Sequence, residues 1–133
     1  MTDLVLLCGV RWLLEKKVFP FSSYHVEYGH GNQNEFDPMA QESGRRLIGE
    51  AFNVAPSFFQ GKKTSMLNKL RTKGRNADYT VILFNADAVH DKYVPTKDSR
   101  EYHVFVDIST GSTRMVPSQA RTDQPSAEAV LAC

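Results

Sequence analysis

The chain has 133 residues, of which 41% are hydrophobic and 23% charged, with a formal net charge of +1. This length supports one domain with its own core, and the composition favours neither a disordered nor a membrane-embedded class. So slight an excess of positive charge does not itself point to nucleic acid, because phosphate affinity depends on clustered cations.

In chain order, Met1 to Asp3 is acidic, and Arg11 interrupts the apolar run from Leu4 before it could span a bilayer or serve as a secretory core. Asp3 is placed to cap a core-facing helix through Leu4, Leu7, Val10, Trp12, Leu13 and Leu14, ending near Lys16 and Lys17, whose charges suit a helix C-terminus. After Phe19-Pro20-Phe21 the period changes to two, with Tyr24, Val26 and Tyr28 on one side of a strand and His25 and Glu27 on the other. Gly29 to Asn32 reads as a turn, Asn34 to Ala40 as a second extended segment, and Glu42-Ser43-Gly44 as a turn before a third strand over Arg45 to Ala55. A three-strand antiparallel meander is expected.

Pro56 and Ser57 close the third strand. From Phe58 through Lys73, the residues Phe59, Met66, Leu67 and Leu70 share one face of an amphipathic helix that Gly74 stops. The segment Asp78 to Asn85 holds the apolar run Val81-Ile82-Leu83-Phe84, the pattern of a central strand covered on both faces. Glu101 to Ile108 alternates again, and Ser109-Thr110-Gly111 turns the chain toward a short partner strand near Arg114 to Val116. The helix between meander and buried strand is a crossover, which packs over one face of a mixed sheet. The expected organisation is an α/β domain over residues 1–116 and a polar tail over 117–133.

Asp37 and Glu50 fall on neighbouring strands of the meander, joined by the turn at Ser43-Gly44. Two such carboxylates can hold Mg²⁺, which takes a few hard oxygens and keeps several waters, and an ion so held activates water and offsets charge on a scissile phosphate. The segments Asn34-Glu35-Phe36-Asp37-Pro38-Met39-Ala40 and Arg45-Arg46-Leu47-Ile48-Gly49-Glu50-Ala51-Phe52 resemble the PD-(D/E)XK nuclease superfamily, and so does the element order. The resemblance spans residues 1–108 in topology. It implies a restriction-endonuclease-like core of helix, three-strand meander, crossover helix and further strand, here followed by a C-terminal hairpin. It makes Asp37 the motif aspartate and Glu50 the motif glutamate, with one or two Mg²⁺ or Mn²⁺ ions as cofactor, DNA as substrate and a homodimer as assembly.

The departure is at the motif lysine, two residues beyond the glutamate, where this chain has Phe52. An apolar ring neither orients water nor stabilises developing negative charge. Lys62 or Lys63, in the first turns of the following helix, is the expected substitute, as in superfamily members whose lysine has moved. Lys62, Lys63, Lys69, Arg71, Lys73 and Arg75 have no acidic residue among them and make the middle of the chain locally basic, a candidate DNA-backbone surface. Glu15 resembles the extra acid that some members supply from the first helix, and Asp107 is either a further ligand or a strand-end residue.

The remaining signals read as structural. His25, His30, His90 and His103 lack the spacing of zinc ligands or of a nucleophile and base. Ser57, Thr64 and Ser65 sit in no nucleophile elbow, and Gly29-His30-Gly31 lacks the setting of a phosphate cradle. Trp12, Phe58 and Phe59 are expected in the core. Cys8 and Cys133 form no disulfide or metal pattern, which fits a reducing cytoplasm. The expected function is a metal-dependent endonuclease-like domain; the alternative is a catalytically inactive module of the same fold that binds nucleic acid or a protein partner.

Overall fold

The structure, a computed structural model, describes residues 2–26, 36–74, 76–89, 93 and 101–118. Its elements in chain order are α1 (Thr2–Glu15), β1 (Met39–Glu42), β2 (Arg45–Phe52), α2 (Pro56–Lys73), β3 (Tyr79–Asn85), a 3-10 turn at Ala86–Ala88, β4 (Glu101–Val106) and β5 (Thr113–Val116). The strands form one mixed sheet in the order β1-β2-β3-β4-β5, with α1 packed on one face and α2 on the other. None of the described helices is long and apolar enough to cross a membrane.

α1 meets the sheet through Val5, Leu6, Gly9, Val10 and Leu13, while Leu4, Leu7 and Leu14 are exposed. This corrects the expected core-facing stripe by a rotation of the helix. The signal lay in Gly9, where a Cβ would stand only 2.2 Å from Leu83 Cδ2, so the helix lies close against the Leu83 side chain at this point. The helix closes in a Schellman arrangement, with Val18 N–H donating to Leu13 O at 3.1 Å and Lys17 N–H to Leu14 O at 3.2 Å. Lys17 takes the left-handed position at φ 51° that glycine usually fills.

β1 and β2 form an antiparallel hairpin pairing Met39 with Ile48 and Glu42 with Arg45. Ser43 and Gly44 both have positive φ, 54° and 78°, as a two-residue turn of the hairpin type requires to follow the strand twist. Of the expected first strand, the described part reaches an isolated antiparallel bridge between His25 and Met39, closed by hydrogen bonds of 2.7 and 3.0 Å. Tyr28 and the rest of segment 27–35 lie outside the described residues. The second strand begins at Met39, later than expected, and the third ends at Phe52 rather than Ala55. The fold is therefore α/β with a mixed sheet, and its strand bounds are narrower than the sequence suggested.

α2 carries the chain from β2 to β3, which pair in parallel with Ile48 beside Thr80 and Glu50 beside Ile82. β3 is central, as its apolar run implies: Val81 and Leu83 pack with the α1 side, Ile82 and Phe84 with the α2 side. β4 is parallel to β3, and all six of its residues are buried, because it too is covered on both faces. Its apparent alternation was therefore not a sign of a half-exposed strand; Glu101 and His103 are the polar residues buried beneath α2. β5 pairs antiparallel with β4 and closes the expected C-terminal hairpin. The proposed tail beyond Ser118 lies outside the described residues.

Candidate functional site

The α2 face of β2 presents Ile48, Glu50 and Phe52 in alternation, as strand period demands. Ile48 and Phe52 enter the core, so Glu50 is held between two buried neighbours with its side chain 13% exposed. Asp37 precedes β1, and its N–H donates to Gly49 O at 3.0 Å, which lays Asp37 against β2 beside Glu50. From above, Lys69 of α2 donates from Nζ to Glu50 Oε2 at 2.7 Å. Leu67 and Leu70 seat that part of the helix, and the Lys69 ammonium also lies 5.5 Å from the centre of the Phe36 ring.

The electrostatics tie four residues into one site. Burial raises the Glu50 carboxyl above its ordinary value, the Lys69 hydrogen bond and charge pull it back, the Asp37 charge pushes it up and the Lys62 charge draws it down. Lys69, Asp37 and Lys62 thus all act on the Glu50 carboxylate. Two carboxylates of this kind suit a hard divalent cation, and the lysine offsets their mutual repulsion. Among the described residues no group of three or more His, Cys, Asp or Glu side chains converges, so the candidate donor set is this pair alone.

Phe52, at the position where the resemblance places a lysine, is 2% exposed and stacks on Phe84 with centroids 5.5 Å apart and planes at 17°. Phe59 of α2 closes over both rings. An ammonium here would be buried in an aromatic cluster. Of the two lysines expected to replace it, Lys62 is exposed on the side of α2 that faces Glu50 and lines a cleft with Ala51, Asn53 and Ser57. Lys63 is not brought to the acidic pair. A turn of about 100° per residue points it the other way, where it donates to Tyr93 Oη at 3.3 Å and lies over the Tyr93 and Phe59 rings. Lys69 was expected only to touch DNA, yet it is the residue that reaches Glu50; seven residues separate it from Lys62, which returns it to the same face.

The basic helix is correspondingly not a single solvated stripe. Arg71 forms a bidentate pair with Glu101, Nε to Oε2 at 2.5 Å and Nη2 to Oε1 at 2.7 Å. Lys73 is exposed in the last turn, and Arg75 lies outside the described residues. Lys63, Lys69 and Arg71 turn toward the sheet, leaving Lys62 and Lys73 as the outward-facing candidates for a nucleic-acid backbone. A paired surface cation contributes less to phosphate binding than an isolated one.

Other expectations are placed as follows. Glu15 is not near Asp37 or Glu50: α1 covers the opposite face, and its C-terminal end lies over the start of β2, where Leu14 and Lys17 border a cleft with Arg45 and Tyr79. Asp107 serves the β4–β5 turn, accepting from Ser109 Oγ at 2.6 Å and Ser109 N at 3.0 Å. Phe59 is buried as expected, whereas Phe58 is 69% exposed. Trp12 is partly buried against the α1-side core. His30, His90 and Cys133 lie outside the described residues. His103, read as a structural or surface residue, proves to be buried beside Lys63 and Arg71, and Glu101 is buried with it. The available signal was that strand β4, between two apolar-covered faces, carries charged or titratable groups at two positions of one face. No family model, curated protein or solved structure matches the chain.

Proposed function

We propose that this chain is a metal-dependent, restriction-endonuclease-like domain that acts on DNA phosphodiester bonds, with its catalytic cation supplied by Lys69 of α2. The element order supports this reading, since a helix, an antiparallel hairpin extended by the His25–Met39 bridge, a crossover helix and a parallel strand occur in that sequence. The observation that carries it is the 2.7 Å contact of Lys69 Nζ with Glu50 Oε2, beside Asp37. It restores an acid, acid and lysine constellation in spite of Phe52.

In this reading Asp37 and Glu50 hold one or two Mg²⁺ or Mn²⁺ ions, which supply water activation and charge neutralisation when bound. Glu50 is positioned by its place in β2 between buried neighbours, and Asp37, which precedes β1, by its backbone bond to Gly49 of the same strand. Lys69 orients and stabilises an oxygen that gains negative charge next to Glu50. Lys62, exposed on the same side of α2, engages the DNA backbone. A homodimer would present two such sites to a duplex.

Supercoiled-plasmid nicking with Mg²⁺ or Mn²⁺ tests the reading directly. Wild type is expected to nick, and Asp37→Ala, Glu50→Ala and Lys69→Met each to lose on the order of 10²–10³-fold in rate, the loss typical of removing one charge-stabilising group. Nicking that survives both acid substitutions would remove the metal site. A second reading rests on the same contact: because Lys69 already satisfies Glu50, the pair can be a purely structural ion pair in an inactive module. Absent nicking with retained, salt-sensitive DNA binding favours that module.

A further inference from the structure

A second polar cluster lies under α2 on the same face of the sheet, over β4 rather than β2. Glu50 aligns with Ile82 and Ile82 with His103, so two strand spacings, about 10 Å, separate the two places. Here a cavity of about 220 Å³ is bordered by Gln60, Lys63, Thr64, Arg71, Glu101 and His103. One carboxylate faces two permanent cations, and it is already matched by the bidentate bond from Arg71, so the positive charge of Lys63 is in excess. Among the described residues that ammonium donates one side-chain hydrogen bond, a long one of 3.3 Å to the Tyr93 hydroxyl.

His103 is 3% exposed, and its Nδ1 has no hydrogen-bond partner among the described residues. A buried polar atom left unpaired costs about 1–3 kcal/mol, and such atoms in native proteins call for an explanation in a ligand, water or ion. Burial first, then the charges of Lys63 and Arg71, push His103 down to about 4, so the ring is neutral at physiological pH and has a donor nitrogen to offer. Burial and the Arg71 charge likewise lower Lys63. Burial dominates both shifts and the neighbouring cations add to it, so a further positive charge is disfavoured here. Around it stand the Thr64 hydroxyl and the Gln60 amide, both exposed and able to donate. An apolar ligand would strand these donors, and a metal cation would meet Lys63 and Arg71.

We propose that the cavity between α2 and β4 is a phosphate-binding site, with Lys63, Thr64 and His103 as its principal donors and the Arg71–Glu101 pair as its fixed wall. The site takes a tetrahedral phosphate oxyanion, either free or as part of a nucleotide chain. It uses none of Asp37, Glu50 or Lys69, so it stands independently of the nuclease reading.

The test follows the His103 imidazole resonances of the metal-free 133-residue chain by NMR during titration with sodium phosphate, ionic strength being held constant with chloride. A saturable His103 shift is expected with phosphate and none with chloride alone. Lys63→Gln is expected to weaken the phosphate affinity at least about fivefold, the loss of one charge-assisted contact. Thr64→Ala, at an exposed position that does not endanger the fold, should weaken it less, and Lys16→Gln, in the turn after α1, should leave it unchanged. A short unphosphorylated DNA strand that displaces phosphate identifies the polymer backbone as the source; failure to displace it identifies a small phosphate. Absence of a saturable shift, or equal affinity in Lys63→Gln and Lys16→Gln, overturns the site. Because no metal is present, these outcomes are separate from those of the nicking assay.

Discussion

Replacing Lys69 by Met keeps the bulk of the side chain over Phe36 while removing the ammonium that holds Glu50. The carboxylate then stays between Ile48 and Phe52 without its 2.7 Å partner. Hydrogen bonds to charged groups contribute about 1.5–3 kcal/mol, and the side chains here are 30% and 13% exposed, so solvent screening reduces this to about 1–2 kcal/mol at neutral pH. The cost has a pH signature. Burial already raises the folded-state Glu50 above its ordinary 4.5, so the folded chain keeps a proton that the unfolded chain has lost, and the Glu50 contribution to stability falls as pH rises above 4.5. Without Lys69 the carboxyl rises further and this window extends upward. The stability deficit of Lys69→Met is therefore expected to be small near pH 4 and to grow toward pH 7.5. In a Glu50→Gln background it should shrink by about 1 kcal/mol, as a double-mutant cycle resolves for groups in direct contact. Urea unfolding of the four proteins at matched pH measures both effects. An equal Lys69→Met deficit at pH 4 and 7.5, or strict additivity with Glu50→Gln, would refute the coupling on which the site depends.

Two further predictions concern the surrounding fold. Phe52→Lys, which writes the motif lysine back into β2, should destabilise by about 3–5 kcal/mol or more, since it empties the aromatic stack with Phe84 and Phe59 and buries an ammonium. Against a domain stability of about 5–15 kcal/mol, a large fall in melting temperature by circular dichroism is expected, without gain in nicking; a stable, more active variant would contradict the assignment of Lys69. Lys17→Gly should stabilise by about 0.5–1 kcal/mol, because it relieves a left-handed residue at the Schellman turn while adding some unfolded-state entropy. A midpoint in urea unchanged or lowered would show that Lys17 makes a compensating contact.

Local pattern alone determined much of the framework. The run Val81-Ile82-Leu83-Phe84 marks a strand buried on both faces, Phe59, Leu67 and Leu70 mark the inward face of α2, and Ser43-Gly44 marks the hairpin turn, because each depends on backbone period or backbone conformation within a few residues. The nearness of Asp37 to Glu50 was readable for the same reason: a short hairpin brings neighbouring strands together whatever lies around it.

What required the tertiary structure was every choice between two locally equivalent answers. α1 is apolar on more than one side, and only the close approach at Gly9 decides that Val5, Leu6 and Leu13 face inward while Leu4, Leu7 and Leu14 do not. Lys62, Lys63 and Lys69 are alike in sequence; the rotation of α2 over the sheet sends one toward Glu50's field, one to Tyr93 and one into contact with Glu50 itself. The pairing of Arg71 with Glu101, thirty residues away, and the burial of His103 follow from the parallel placement of β4 beside β3. Sequence thus determined which residues carry charge and which stretches are strand or helix, whereas the packing of a long, flexible cation against a buried acid is decided by distances that no local period contains.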